Sequence, residues 1–182
     1  MNYTTNNMNL VNLGRRDLMM ILNHFLDNPK EISQTNLLKK TKLSKATVIK
    51  WVSFLEKEKF LNARRIGNTK LLELTDGPIT KQLKILNALF KLRGIEKLRD
   101  KNVEIYLYGS AARGETHEES DIDILIIGNI KRNEIIDIID TIQKKNNIKI
   151  NFQIFTHIEW SKMLKNDKAY FERVEKDKIR LI

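Results

Sequence analysis

Cysteine is missing altogether from this chain of 182 residues. Disulfides and thiolate metal sites are thereby excluded, and a cytoplasmic location is the expectation. Long apolar runs are missing too. No stretch approaches the roughly 20 residues that span a bilayer, so no membrane role is expected. The first ten residues, MNYTTNNMNL, carry neither the basic start nor the apolar core of a secretion signal. Internal repeats and low-complexity linkers are absent. What remains is 41% hydrophobic and 31% charged, the balance of a folded globular chain, long enough for one ordinary domain or two small ones.

Acidic residues are scarce in one place only. Residues 1–100 hold 19 Lys/Arg against 9 Asp/Glu, whereas residues 101–182 hold 14 of each. The formal excess of +10 thus falls in the first half, as expected where one half of a chain meets a polyanion. A surface kept basic for solubility alone would give the same sum, so the pattern of residues has to decide.

Leu18, Ile21, Leu22, Phe25 and Leu26 recur at helical spacing over residues 15–26, and Asn28-Pro29 ends that helix. Ser33 is placed to cap a short helix carrying Leu37 and Leu38 and stopping near Thr41. Ser44 is placed to cap a longer one from Lys45 to about Lys59. Val48, Val52 and Leu55 form its core stripe. Lys45, Thr47, Lys50 and Trp51 lie on its N-terminal, outward side. Two helices joined by so short a turn cross steeply, and the second protrudes. Two short strands then flank Gly67-Asn68, with Arg64, Arg65 and Lys70 making the hairpin tip basic.

Over about residues 12–76 this pattern resembles the winged helix-turn-helix family. That resemblance implies double-stranded DNA as partner and Lys45, Thr47, Lys50, Trp51, Arg64, Arg65 and Lys70 as its contacts. A three-helix module for protein contacts is the competing reading. The chain departs from the family where helix meets wing, a position commonly glycine and here Lys59. A connecting helix is expected over residues 77–100, with Ile79, Leu83, Leu86, Phe90 and Leu92 in register and a break at Gly94. Helices after a wing often mediate dimerisation, so a homodimer is expected on a palindromic site, with packing of this helix onto its own chain as the competing reading.

Residues 103–108, VEIYLY, read as a strand. Gly109-Ser110 follows at once, AARG opens a short helix, an acidic connection runs to Ser120, and DIDILII (121–127) is a second strand. Strand alternation sends Asp121 and Asp123 to one face, about 7 Å apart, and Ile122 and Ile124 to the other. Two carboxylates so placed repel one another, but suit a hard cation that also takes substrate phosphates. The Gly-Ser turn adds backbone N–H groups and a hydroxyl for a phosphate.

Gly-Ser, ten residues, then Asp-x-Asp resembles the DNA polymerase beta-like nucleotidyltransferase superfamily. The fuller string, YGSAARGETHEESDIDILI, is similar to its minimal nucleotidyltransferase branch, with Gly109, Ser110, Arg113, Gly114, Ser120, Asp121 and Asp123 in the motif places. The resemblance implies Asp121 and Asp123 as catalytic and metal-binding groups for Mg²⁺ or Mn²⁺. It further implies that Gly109, Ser110, Arg113 and Ser120, with Asn151 on a later strand, bind a nucleoside triphosphate.

One thing that resemblance calls for is lacking. Active members usually carry a third carboxylate on a neighbouring strand, expected here over 148–155, IKINFQIF. Its polar face is Lys149, Asn151 and Gln153. Between the strands, Glu134–Gln143 is an amphipathic helix, so a mixed sheet backed by helices is expected. Thr156 to Glu159 forms a capping-box pattern, and Lys178 to Ile182 a short closing strand. His24, His117 and His157 are scattered, and only His117 falls near the motif.

The expected fold class is α+β: an N-terminal winged helix-turn-helix (1–76), a connecting helix (77–100), and a small mixed-sheet nucleotidyltransferase-like domain (101–182). The expected function is a DNA-binding transcriptional regulator whose second domain binds nucleotide and Mg²⁺ with weak or no catalysis. The alternative is an active enzyme transferring NMP, as in antitoxins of this fold that adenylylate a toxin partner, with the wing serving autoregulation.

Overall fold

In the computed structural model, which describes residues 13–117 and 120–182, the chain divides into two compact units, Met1–Thr80 and Lys81–Ile182. The architecture is α+β in both.

In the first unit, helix α1 (Arg16–Asp27) buries Leu18, Ile21, Leu22 and Phe25 completely. Helices α2 (Gln34–Thr41) and α3 (Lys45–Lys57) follow, each opened by the expected serine. Ser33 Oγ accepts from the Asn36 N–H and Ser44 Oγ from the Thr47 N–H, both at 3.1 Å. Val48, Val52 and Leu55 face inward from α3 with no exposed surface. The helix then ends in a Schellman turn: the Phe60 N–H reaches Leu55 O at 2.8 Å and the Lys59 N–H reaches Glu56 O at 3.0 Å. Lys59 occupies the left-handed position of that turn, at φ 60°.

The wing is a hairpin of β2 (Leu61–Ile66) and β3 (Thr69–Leu74), joined by Gly67-Asn68, with the positive φ on Gly67. A two-residue strand, β1 (Ile32–Ser33), adds to the far side of β3, giving the order β1-β3-β2. Among the described residues, these three helices, the short strand and the hairpin make up the winged helix-turn-helix arrangement. No periodicity announces β1, because two residues are too few to show one.

Helix α4 (Pro78–Lys91) begins at the end of the first unit and runs into the second. Ala88 and Leu92 are buried with Ile95 and Leu98 of the following 3-10 helix, Ile95–Lys101, in the second unit's core. Gly94, at φ 112°, makes the break between them. Of the apolar positions expected on this helix, Leu83 and Leu92 are buried, while Ile79, Leu86 and Phe90 are exposed. The charge excess spreads accordingly: residues 1–80 hold 13 Lys/Arg and 7 Asp/Glu, and residues 81–182 hold 20 and 16. The second unit is therefore basic too, because residues 81–100 belong to it.

The second sheet is mixed, ordered β6-β5-β4-β7. Strand β4 (Val103–Tyr108) lies antiparallel to β5 (Ile122–Gly128), which lies parallel to β6 (Ile150–Phe155). The edge strand β7 (Ile179–Arg180) pairs antiparallel with β4. Helix α5 (Gly109–Arg113) starts where β4 stops, and α6 (Asn133–Asn146) crosses from β5 to β6. Strand alternation splits the core. Ile105, Leu107, Ile122, Ile124, Ile126, Ile150 and Phe152 pack with Ile135, Ile139 and Ile142 of α6 on one face. On the other, Tyr106, Tyr108, Leu125 and Ile127 pack with Trp160 of α7 (His157–Asn166) and Val174 of α8 (Lys168–Asp177). Thr156 and Glu159 form the expected capping box at the start of α7.

Candidate nucleotide site and nucleic-acid surface

Asp123 projects to the sheet face that α7 and α8 partly cover, and Gly109 determines how close it comes to the strand end. A methyl group on Gly109 would lie 2.5 Å from Asp123 Oδ2, and Gly109 itself holds φ 74°. The first motif glycine is thus required twice, by backbone conformation and by the carboxylate beside it. Gly114, at φ 67°, does a similar service elsewhere: a Cβ there would come within 2.3 Å of the Lys81 carbonyl oxygen.

The carboxylates do not stand bare. Lys149 Nζ donates to Asp121 Oδ2 at 2.7 Å, and Asn151 Nδ2 donates to Asp123 Oδ1 at 3.2 Å. Asn151 faces Asp123 in the parallel register of β5 and β6. Partial burial raises the Asp123 carboxyl above its ordinary value; Asp121 adds to that, while the Asn151 hydrogen bond and Arg173 oppose it. Behind it, the Tyr170 hydroxyl of α8 donates to Gln153 Oε1 at 2.8 Å and lies 3.4 Å from the Tyr108 hydroxyl. Burial raises both phenols, so they stay protonated donors at neutral pH. The Arg173 guanidinium sits 5.5 Å from the Tyr170 ring centre and is exposed.

Two expected nucleotide contacts have other partners. Arg113 Nε donates to Glu115 Oε2 at 2.8 Å, and its Nη1 lies 3.5 Å from Asp177 Oδ2 of α8. Lys81 holds the same Glu115 at 2.8 Å, and the Lys81 and Arg113 hydrogen bonds pull that carboxyl down to about 2. Ser120 Oγ accepts from the His117 N–H at 2.8 Å, closing the loop before β5. Arg113 and Ser120 therefore shape the loop around the motif. Ser110 lies in the first turn of α5, half-buried. Sequence reasoning missed Arg173 and Tyr170, which reach the site from a helix some fifty residues away. It placed Lys149 on the polar face of the strand without a partner.

Among the described residues no three of His, Cys, Asp and Glu gather as a metal cage. Asp121 and Asp123 are oxygen donors of the kind that suits one hard divalent cation completed by substrate phosphates, while Asn151 turns its amide N–H to Asp123. A second cation would need the carboxylate that β6 lacks.

On the first unit, Lys45 and Lys50 are exposed, while Thr47 and Trp51 are half-buried. Lys50 Nζ lies 4.9 Å from the Trp51 ring centre, and Trp51 meets Phe54 edge-on at 5.7 Å. Thr47 is bound to the Ser44 cap, its hydroxyl 2.8 Å from Ser44 Oγ. The wing cations differ from one another. Arg64 makes a bidentate pair with Glu31, both bonds 2.6 Å, and Lys70 pairs with Glu56 at 2.6 Å. Arg65 is exposed and makes no ion pair among the described residues.

Fifty-five residues of the chain are 44% identical to a Methanocaldococcus jannaschii protein named "Putative protein adenylyltransferase". The match takes in 30% of this chain and 55% of that relative, so the chain spans about half the length of the relative it matches. Among solved structures, NolR from Sinorhizobium fredii aligns at 20% identity over 44% of this chain and 79% of its own, with a TM-score of 0.38. A Sulfolobus solfataricus protein named "putative nucleotidyltransferase" aligns at 25% identity over 58% of this chain and 87% of its own, with a TM-score of 0.30. Those two likenesses are too partial to define a shared architecture. Residues 89–180, 92 of the 182, match the nucleotidyltransferase domain family. That match takes in half of the sequence and contains Gly109 lying against Asp123 where helix α5 meets the sheet, and this chain belongs to the nucleotidyltransferase domain family.

Proposed function

We propose that the protein is a DNA-binding transcriptional regulator whose nucleotidyltransferase domain binds a nucleoside triphosphate and transfers it weakly or not at all. The observation that carries this reading is the residue opposite Asp123: Asn151, a neutral amide hydrogen-bonded to it. An amide can hold a carboxylate or a ribose hydroxyl, but it cannot accept the proton of an attacking group. When bound, Mg²⁺ or Mn²⁺ would polarise the phosphates and draw charge from the leaving oxygen. Asp121 and Asp123 would hold that ion, Gly109 and Ser110 would receive phosphate, and Asn151 would orient what lies between.

For the first unit, Lys45 and Lys50 exposed on α3, and Arg65 on the wing, support double-stranded DNA as partner. A dimer on a palindromic site is part of the proposal. Ile79, Leu86 and Phe90, exposed along α4, offer an apolar stripe for a second copy.

A second reading keeps the enzyme active, transferring NMP to a toxin-like protein and using the wing for autoregulation. The 44% identity to a protein named as an adenylyltransferase favours it, as does the intact pairing of Gly109 with Asp123. Incubation with each labelled nucleoside triphosphate and Mg²⁺ or Mn²⁺, with and without the products of adjacent genes, separates the two. The regulator reading expects little or no label transfer by the wild type, rising with Asn151→Asp. Robust wild-type transfer that Asp121→Ala/Asp123→Ala abolishes and Asn151→Asp does not raise would establish the enzyme instead.

A further inference from the structure

A nucleotide site built on two carboxylates repels its own ligand, since a triphosphate is a polyanion. The repulsion has to be offset by cations at the same place. Here the protein brings its own. Lys149, from the residue just before β6, places its ammonium 2.7 Å from Asp121 Oδ2. The sheet holds its backbone, because the Lys149 carbonyl accepts from the Ile122 N–H at 2.9 Å, extending the β5–β6 ladder by one bond. Arg173 acts on Asp123 from α8, favouring its charged form. The other arginine nearby, Arg113, is held between Glu115 and Asp177. Asp121 is therefore paired with Lys149 before any metal arrives.

We propose that Lys149 is a built-in counter-cation of the nucleotide site, competing with a divalent ion for Asp121 and allowing a nucleoside triphosphate to bind without metal. This rests on the nucleotide-binding reading above and goes beyond it by naming what neutralises the ligand. A lysine ammonium is a point charge on a flexible stem, with three donors. It can turn from Asp121 to a phosphate oxygen without moving the strand. The side chain is 77% exposed while Asp121 is 31% exposed, so the lysine is the partner free to swing. A lysine bridging carboxylate and phosphate assists binding, but it supplies neither the Lewis acidity nor the geometry of a second metal. The same residue thus accounts for retained binding alongside weak transfer.

The test is a calorimetric titration of the full chain with ATP, GTP, CTP and UTP in turn, first in EDTA and then in excess Mg²⁺. For the nucleotide that binds, the wild type is expected to have a Kd in EDTA within about threefold of that in Mg²⁺. Lys149→Ala is expected to weaken the EDTA value about tenfold, the worth of a charge-assisted hydrogen bond, while leaving the Mg²⁺ value nearly unchanged. Lys149→Arg is expected to retain metal-free binding. In a separate titration with Mn²⁺ alone, Lys149→Ala is expected to bind the ion more tightly than the wild type. Because Lys149 is so exposed, the variant should keep its far-ultraviolet circular dichroism. Wild-type binding in Mg²⁺ but not in EDTA would overturn the proposal and leave the nucleotide reading intact. Unchanged EDTA binding in Lys149→Ala would do the same. Failure of all four nucleotides under both conditions would overturn both.

Discussion

Lys59 holds a left-handed backbone, φ 60°, in the Schellman turn that leads from α3 into the wing. That conformation costs a residue with a Cβ roughly 1–2 kcal/mol relative to glycine, and glycine gives back up to about 1 kcal/mol through its freer unfolded chain. Lys59→Gly is therefore expected to stabilise the first unit by about 0.5–1 kcal/mol, read as a rise in urea midpoint with unchanged slope. Asp123 carries strain of another kind. Its carboxyl is raised by partial burial first, with Asp121 adding to the effect, so the folded state holds that proton more tightly than the unfolded one. Its contribution to stability is full below the ordinary carboxylate range and is lost as pH rises through the raised folded value. Asp123→Asn is expected to melt a few degrees above the wild type at neutral pH, with the gap closing in acid. A gap that widens in acid would contradict the assignment.

At the scale of elements, α3 and the wing share the DNA-binding proposal unequally. Arg64 and Lys70 neutralise Glu31 and Glu56 and brace the wing against the rest of the unit. Arg65 is exposed without such a partner among the described residues. Binding to random-sequence duplex should weaken steeply with salt. Arg65→Ala is expected to reduce the slope of log K against log salt by about 1, and Arg64→Ala by clearly less. Fluorescence anisotropy across a salt series measures both. Equal losses would mean that the Glu31 pair opens on DNA. In the other unit, the α7–α8 pair supplies what the strands cannot: Tyr170 hydrogen-bonds to the polar edge of β6, Arg173 bears on Asp123, and Asp177 is 3.5 Å from Arg113.

For the whole molecule, the two units suggest separable duties. Residues 81–100 pack with the second sheet through Ala88, Leu92, Ile95 and Leu98. A fragment of residues 77–182 is therefore expected to fold alone, bind nucleotide like the full chain and lose DNA binding. A fragment starting at residue 101 lacks those core groups and is expected to be molten or aggregated. Circular dichroism with thermal melts distinguishes them. Stable folding of the shorter fragment would instead support a free-standing connecting helix over 77–100.

Local chemistry fixed what was legible without coordinates. Serine caps, the Gly67-Asn68 turn, apolar spacing and strand alternation each act within a few residues, so α1 to α3, the hairpin and β4 to β6 could all be read from the chain. The missing acid on β6 was legible for the same reason. Pairings between distant segments were not. That Gly109 must be bare because Asp123 lies against it, that Arg113 is held by Glu115 and Asp177, and that Arg64 belongs to Glu31 depend on which elements pack together. Sequence alone determined that two carboxylates stand two residues apart where a strand begins. Only the tertiary structure decided that Lys149 and Asn151 hold them, because those donors arrive from a parallel strand whose register a helical crossover sets.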